Sequence, residues 1–251
     1  MMKPEIAVLP TPAALAEEAA RRFAAIARQA VDDRGLFTVA LAGGSTPAGL
    51  YRLLAQPPYR DQVDLLRTFV YFGDERCVPP DHPDSDYRMA RETLLDAAPI
   101  PAANIFRMAG ELPPDVAARD YAAILRRNFH LRGRARPRFD LILLGMGDDG
   151  HTASLFPDMP ALEEKGRLVV GSNVPGYVRP AVPRVTLTFP VINAARQVLF
   201  LVTGANKVAA ARAVLTGPEP PDPLPARRVR PVHGQLTWLM DEAAAAALKD
   251  N

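Results

Sequence analysis

The sequence predicts an α/β fold with one mostly parallel, doubly wound sheet and helices on both of its faces. Short apolar runs typical of strands alternate with stretches of helical character along the chain, which is the order expected when helices link parallel strands. The runs are continuously apolar rather than alternating with polar residues, as expected for strands covered on both faces. A length of 251 residues suits one such domain, so we expect residues 1–251 to form a single domain.

Capping residues and prolines mark where the predicted helices begin. Thr11 with Pro12, and Thr46 with Pro47, are typical of an N-cap followed by the first helical turn, and Gly35 is a typical helix end. The predicted helices span residues 12–35, 46–56, 85–95, 115–129, 206–215 and 236–248.

Strands are predicted where a short apolar run is bounded by glycine, proline or charged residues. These runs lie at 37–41, 69–72, from 139 onward, and at 168–170, 185–189 and 197–202. The segment that follows the second of these runs, beginning GDERCVPP, is predicted to be a loop. The proline-rich segment 217–231 is predicted to be a surface loop.

The charge of the chain does not indicate a nucleic-acid partner. The formal net charge is +2, and the most basic stretch, residues 126–138, lacks the interleaved aromatic residues of a nucleic-acid module. We interpret this stretch as a solvated helix end and loop. Only four of the thirty basic residues are lysines, which draws attention to Lys207.

The single cysteine, Cys77, rules out an internal disulfide framework and provides no cysteine cluster for a metal. Its only nearby base is His82, so we expect neither a catalytic thiol nor a metal site. The amino-terminal apolar run is too short for a signal peptide, and no apolar run approaches about twenty residues. We therefore expect a cytoplasmic protein without a membrane segment, which is a monomer or a weak homo-oligomer.

The stretch FDLILLGMGDDGHTASLFP at 139–157 carries the most chemical information in the chain. Its glycines follow a predicted strand with the spacing G-x-G-x-x-G, by which many nicotinamide and flavin enzymes bind a pyrophosphate; they are Gly145, Gly147 and Gly150. The motif leaves two hypotheses, a nucleotide site or a catalytic turn.

The neighbouring residues favour the catalytic turn. Asp148 and Asp149 would place negative side chains where the phosphates of a dinucleotide must lie. Pro157 and Pro160 would interrupt the long helix that should follow a dinucleotide loop. We therefore expect no nucleotide cofactor, and no other cofactor either.

His151 and Asp149 suit proton transfer. A histidine titrates near neutral pH, and a carboxylate two residues away can hold its ring in one tautomer and stabilise its protonated form. The glycines would let the backbone turn sharply at the carboxyl end of a strand, where open α/β sheets usually place their sites. The alternative is a surface loop in which both side chains are merely solvated, but we favour the functional interpretation.

Other strand ends carry groups suited to an anion. Residues 41–47, LAGGSTP, place Gly44, Ser45 and Thr46 at a helix N-terminus, where amides and hydroxyls can bind a phosphate. The same residues would also serve as an ordinary helix cap. The lysine of a nucleoside-triphosphate loop is missing there.

Charged residues follow or open three further predicted strands. Asp74 and Arg76 come after the strand at 69–72, where a solvated ion pair is an equally good interpretation. Arg184 opens the PRVTLTF strand and Lys207 stands at a helix start after VTGAN. Arginine can contact a phosphate through two hydrogen bonds and lysine through a point charge. Together with the histidine turn, they predict a small phosphorylated substrate beside a general base.

Five motifs spread over nearly the whole chain resemble the 6-phosphogluconolactonase family: LAGGSTP at 41–47, FGDERCVPPDHPDSDYRM at 72–89, GMGDDGHTASLFP at 145–157, PRVTLTF at 183–189 and TGANKVAA at 203–210. The resemblance implies the modified doubly wound, Rossmann-like sheet of the superfamily that includes glucosamine-6-phosphate deaminase and ribose-5-phosphate isomerase. It also implies hydrolysis of 6-phospho-D-glucono-1,5-lactone, the second oxidative step of the pentose phosphate pathway, without a metal.

The resemblance assigns roles to the candidate residues. It makes His151 the general base that activates water against the lactone carbonyl, with Asp149 as the group that orients it. The phosphate, or the negative charge that develops on the carbonyl oxygen, would be held by a set of polar and cationic groups: Gly44, Ser45, Thr46, Arg76, Arg184 and Lys207. Asp74 would contact the substrate or a neighbouring cation.

Two alternative functions remain open at this stage. Glucosamine-6-phosphate deaminases share the GGSTP loop and the DGH turn, but their turn continues to a glutamate where this chain has Phe156, and their DEY is DER here. A phenylalanine cannot transfer a proton, which disfavours deamination. A non-catalytic sugar-phosphate sensor usually carries a DNA-binding module, for which we expect no room before the first strand.

Overall fold

The computed structural model describes residues 4–217 and 224–248. The strands in these residues are β1 (Glu5–Leu9), β2 (Phe37–Leu41), β3 (Thr68–Phe72), β4 (Asp74–Arg76), β5 (Leu141–Leu144), β6 (Val169–Ser172), β7 (Arg184–Leu187), β8 (Gln197–Val202) and β9 (Gln235–Asp241). The helices are α1 (Pro12–Arg34), α2 (Ser45–Leu54), α3 (Asp86–Ala90), α4 (Pro114–Asn128), α5 (Phe189–Ile192) and α6 (Val208–Leu215).

Six strands form one parallel sheet in the order β1-β9-β8-β5-β2-β3. The other three form a small antiparallel sheet in the order β4-β7-β6. The predicted α/β class and mostly parallel sheet are therefore confirmed, with the antiparallel sheet as an addition that the sequence patterns did not indicate.

Strand β5 shows why the main sheet needs helices on both faces. All four of its residues are buried, with Leu141 and Leu143 in one apolar cluster and Ile142 and Leu144 in the other. Successive side chains of a strand point to opposite faces, so a strand of four apolar residues must be covered twice. Helices α1 and α2 pack into the first cluster, and α4, α5 and α6 pack into the second.

The predicted helix at 236–248 is wrong, because its first half is strand β9. Leu236, Trp238 and Met240 face one cluster and Leu239 faces the other, and the Trp238 ring stacks on Phe200 of β8 with 3.8 Å between ring centroids. The alanines that follow favour a helix in isolation, but the chain there forms only a turn and a short 3₁₀ segment, Ala246–Leu248. The pairing of β9 with its two neighbours, β1 and β8, overrides this local helix propensity.

Three boundaries also differ from the prediction. Residues 74–76, expected in a loop, form β4 because they pair with β7. The predicted strand at 185–189 ends at Leu187, and Phe189 opens α5 behind Thr188. The helix expected at 85–95 is α3 extended by one π-helical turn, Arg91–Leu95.

Residues 218–223 of the predicted loop at 217–231 lie outside the described residues. The rest of that segment is not simply a surface loop, because it forms a 3₁₀ turn, Pro225–Arg228, in which Ala226 is fully buried. Among the helices of the described residues, none combines the length and apolar character needed to cross a membrane.

Candidate active site

The loops that follow β2, β3, β5 and β8 meet at one edge of the main sheet, because the carboxyl ends of parallel strands all lie on the same side. They surround a cavity of about 260 Å³. Its lining among the described residues includes both glycines of the loop after β2, the turn after β5 and several charged side chains from distant parts of the chain. This cavity contains the histidine turn identified from the sequence.

His151 and Asp149 form a hydrogen-bonded pair in this turn. The ring nitrogen Nδ1 of His151 lies 2.6 Å from Oδ1 of Asp149, and the His151 backbone N–H donates to the same oxygen at 3.0 Å. An ionised carboxylate can only accept hydrogen bonds, so the ring proton belongs on Nδ1. The other ring nitrogen, Nε2, is then left with the lone pair that a general base requires.

The carboxylate of Asp149 is held in its charged form. Burial alone would raise its pKa, but hydrogen bonds from the His151 ring and backbone and from the Tyr177 hydroxyl, together with the positive charge of the His151 ring in its protonated form, lower the pKa of Asp149 to about 2. The Tyr177 hydroxyl donates to Oδ2 at 2.9 Å. The same contact contributes, after burial, to raising the pKa of Tyr177 to about 12. Asp149 therefore stays negative throughout the range in which a histidine titrates.

The glycines of the turn make room for this pair. A Cβ on Gly147 would lie 2.1 Å from Nδ1 of His151 and 2.5 Å from Oδ1 of Asp149, distances that side chains do not tolerate. Gly150 has a positive φ of 79°, a conformation that favours glycine. In contrast, nothing lies within 4 Å of a Cβ placed on Gly145. Two of the three glycines in the G-x-G-x-x-G spacing are therefore required by the geometry of the turn itself.

Phe156 covers one side of the His151 ring. Its ring is 2% exposed and its centroid lies 4.4 Å from that of the His151 ring, at an angle of 41° between the ring planes. An apolar neighbour in contact with the imidazole restricts its rotation without offering a second proton-transfer group. This is the position at which the deaminase pattern has a glutamate.

A cationic wall made of Arg76, Arg184 and Lys207 faces the same cavity. Arg76 and Arg184 are direct partners in the β4–β7 pairing, so their guanidinium groups come from two segments over a hundred residues apart. Arg184 is 3% exposed, and its guanidinium donates to the carbonyl oxygens of Pro180, at 3.0 Å, and Val182. Burial and the charge of Arg76 lower the pKa of Arg184. A buried cation held by neutral carbonyl groups is a strong site for an anion.

Two buried carboxylates complete the wall. Asp74 accepts a 2.7 Å hydrogen bond from the Ser154 hydroxyl, and Asp86 forms an ion pair with Arg76 at 2.9 Å. Burial raises the pKa of Asp86 well above its usual range, although the charge of Arg76 opposes this. The described lining therefore carries four cations, the three of the cationic wall and Arg179, against two acids, a balance that suits a phosphate dianion.

Comparison with known proteins identifies the family. The family model described as glucosamine-6-phosphate isomerases/6-phosphogluconolactonase matches residues 10–238. The chain belongs to this family. The sequence-based resemblance is thereby confirmed, and the relatives below place the similarity on its lactonase side.

Curated relatives of this chain carry the name 6-phosphogluconolactonase. The protein from Synechocystis sp. is 42% identical over 249 residues, covering 99% of this chain and 100% of its own length. The human protein is 44% identical over 237 residues, covering 94% of this chain and 89% of its own length. The solved structure of 6-phosphogluconolactonase from Trypanosoma brucei superposes with a TM-score of 0.87 at 31% identity, covering 99% of this chain and all of the other.

The structure brings most of the predicted site residues together, with two exceptions. Gly44 lies in the cavity lining, in a left-handed conformation with a φ of 100°. Ser45 is exposed at the first turn of α2, and Thr46 exchanges a 2.7 Å hydrogen bond with Thr203. Both lie beside the cavity rather than in the lining formed by the described residues. This hydrogen bond joins the first turn of α2 to the loop after β8.

Sequence reasoning missed four residues of the site: Asp86, Ser154, Tyr177 and Arg179. Asp86 had a usable signal, since it follows the helix cap Ser85 within the motif at 72–89. Tyr177 and Arg179 stand in a segment without a recognisable pattern, and only the fold places that segment over the His151–Asp149 pair. In the described part of the chain, no three His, Cys, Asp or Glu side chains are grouped as metal ligands.

Proposed function

We propose that this protein hydrolyses 6-phospho-D-glucono-1,5-lactone to 6-phospho-D-gluconate, the second step of the oxidative pentose phosphate pathway. The observation that carries the proposal is the His151–Asp149 pair, which leaves a free ring nitrogen facing a cavity with a cationic wall. The names and close similarity of the lactonase relatives support the same substrate.

In the proposed reaction, Nε2 of His151 removes a proton from a water molecule while the water oxygen attacks the lactone carbonyl carbon. The carbonyl oxygen becomes negative in the tetrahedral intermediate, where cationic or N–H groups stabilise it. When the intermediate collapses, the bond between the carbonyl carbon and the ring oxygen breaks. The imidazolium returns its proton to that ring oxygen, so the products are a carboxylic acid, which ionises, and a free hydroxyl group.

The charged residues have separate roles in this proposal. Arg184 and Lys207 bind the phosphate of the substrate, and Arg76 is shared between Asp86 and the substrate. Asp149 remains ionised, orients the imidazole and stabilises its positive form during the reaction. Asp74, fixed by Ser154, accepts hydrogen bonds from the sugar hydroxyls. Activity in the cytoplasm, and a monomeric or weakly associating chain, stay predictions.

The test compares two substrates with the purified protein. Freshly generated 6-phosphogluconolactone is supplied, and formation of 6-phosphogluconate is followed against the spontaneous reaction, with glucosamine 6-phosphate assayed in parallel. We expect acceleration of lactone hydrolysis and no release of ammonia. Deamination without lactone hydrolysis would favour the isomerase branch of the family, and catalysis of neither reaction would favour a sugar-phosphate sensor.

A further inference from the structure

A second and larger groove lies at the opposite edge of the main sheet. It has a volume of about 600 Å³ and is lined by residues that precede three of the parallel strands: Arg138 before β5, Ala194 before β8 and His233 before β9. The amino ends of parallel strands share one edge, so this groove is separated from His151 by the length of the strands. We call it the basic groove.

Positive charge dominates the described lining of the basic groove. Four cations, Arg136, Arg138, Lys165 and Arg228, stand against one acid, Glu164. That acid is already engaged, because it accepts hydrogen bonds from the backbone and side chain of Arg167 and from the backbone of Gly166. These contacts lower the pKa of Glu164 to about 2, so its negative charge is already paired with Arg167.

Two of the arginines are held in place by neutral groups. Nη2 of Arg136 donates to the Lys165 carbonyl at 2.8 Å, and Nη2 of Arg138 donates to the His233 carbonyl at 2.9 Å. These contacts orient the guanidinium groups without neutralising them. Burial lowers the pKa of the nearby Arg196, and the charges of Arg138 and Arg34 lower it further, although the charge of its partner Asp140 opposes them. The edge therefore has a positive field that an anion would relieve.

The remaining lining is apolar. It includes Leu162, Pro190, Phe189 and Val232, the last of which is 68% exposed. The Arg228 guanidinium lies over the Phe189 ring at 4.9 Å and also pairs with Glu163 at 3.0 Å. A groove with an apolar wall and a few fixed polar groups is the usual form of a small-molecule site. In the basic groove, the polar groups favour an anionic ligand, and the apolar lining favours a ligand that also carries a planar or apolar group.

We propose that the basic groove binds a nucleoside phosphate, with its phosphates on Arg136, Arg138 and Lys165 and its base against the apolar wall near Val232. Arginine pairs with phosphate oxygens through two parallel hydrogen bonds. The volume suits a ligand of this size. Such a site lies outside the catalytic cavity and adds a ligand class that the lactone reaction does not use.

The test is isothermal titration of the intact protein with ATP at about 0.15 M salt, with adenosine and inorganic triphosphate as partial ligands. We expect ATP to bind with a dissociation constant below about 1 mM, and each partial ligand to bind at least about tenfold more weakly. Inorganic triphosphate that binds as tightly as ATP would overturn the nucleoside assignment, as would the absence of ATP binding. No substrate is present, so the result does not depend on the proposed lactone reaction.

Variants locate the site. Arg136→Gln combined with Arg138→Gln is expected to weaken ATP binding at least about tenfold. The matched control, Arg132→Gln with Arg134→Gln, removes the same amount of charge from the exposed neighbouring segment and should leave the ATP affinity unchanged. Val232→Glu, at an exposed position, should weaken binding without disturbing the core. If Lys207→Ala abolishes ATP binding and the Arg136/Arg138 variant does not, ATP occupies the catalytic cavity and the proposal is wrong.

Discussion

The two walls of the candidate active-site cavity are built over very different distances along the chain. The first, which we call the dyad wall, is local: Asp149, His151 and Phe156 lie within eight residues, and the other two contact the histidine. The cationic wall is assembled from afar, since Arg76 and Arg184 meet only because β4 pairs with β7. Lys207 joins them from the loop after β8.

This difference separates two kinds of function. A local turn can hold a base and its orienting carboxylate at fixed distance whatever the rest of the cavity does, which suits proton transfer. A wall drawn from several strand ends surrounds the ligand from different directions, which suits recognition of a phosphate. Substitutions in the first wall should therefore change turnover, and substitutions in the second should change binding.

The largest effect is expected from His151→Ala. Loss of the base should lower kcat for the lactone by about 10²- to 10⁴-fold, while the affinity for 6-phosphogluconate, measured by titration calorimetry, changes little. His130→Asn is the matched control, because His130 is exposed with a φ of 50° that asparagine also tolerates. Full activity in His151→Ala would remove the histidine from its proposed role.

The cationic wall should respond in the opposite way. We expect Arg184→Ala and Lys207→Ala each to raise KM and the dissociation constant of 6-phosphogluconate by about 10- to 100-fold, since a hydrogen bond to a charged group contributes roughly 1.5–3 kcal/mol. Arg52→Ala, on the exposed side of α2, serves as the control. A loss confined to kcat, with unchanged affinity, would contradict the division between the two walls.

Gly147→Ala tests whether the dyad wall depends on its local geometry. The added Cβ would lie 2.1 Å from the His151 ring, so the imidazole must move, and we expect kcat to fall by about tenfold or more. Gly145→Ala, where the Cβ meets open space, should retain activity near that of the parent. Equal losses in both variants, measured with matched circular dichroism spectra, would argue for a general effect of alanine in the turn.

The smallest expected effect is on stability and depends on pH. The pKa of Asp149 falls from 3.8 to about 2 on folding, which corresponds to on the order of 2 kcal/mol. Because the folded pKa is the lower one, this contribution is complete above about pH 4 and is lost as pH falls through about 2. Urea unfolding measures the free energy of unfolding of the parent and of Asp149→Asn between pH 7 and pH 3. We expect the difference between the two proteins to become smaller as the pH falls. The exposed Asp148→Asn should show no such narrowing, and a constant gap for Asp149→Asn would be evidence against the pKa shift.

Local sequence patterns predicted the parts of the molecule that depend on near neighbours. The capping pair at Thr11 and Pro12 and the Gly35 end correspond to α1, whose N-cap hydrogen bond and left-handed C-cap are both present. The same holds for the turn that joins Asp149 to His151, because two residues and a sharp bend are enough to bring these side chains together. Such contacts need no information from the rest of the chain.

The other parts of the fold and of the site depend on contacts between segments that are distant in the sequence. The segment at 236–248 has helical alanines, but burial of Trp238 between neighbouring strands makes its first half β9. Residues 74–76 become a strand only beside β7, and Tyr177 reaches Asp149 only because the chain folds back over the turn.

The sequence by itself determined the α/β class, the family and the adjacency of Asp149 and His151, because strand patterns, motif spacing and short-range hydrogen bonds each depend on a few neighbouring residues. Only the tertiary structure decided which strands are central, which acids join the cavity and where the basic groove lies. Those features depend on burial against residues far away in the chain, and no local pattern records which distant side chains will meet.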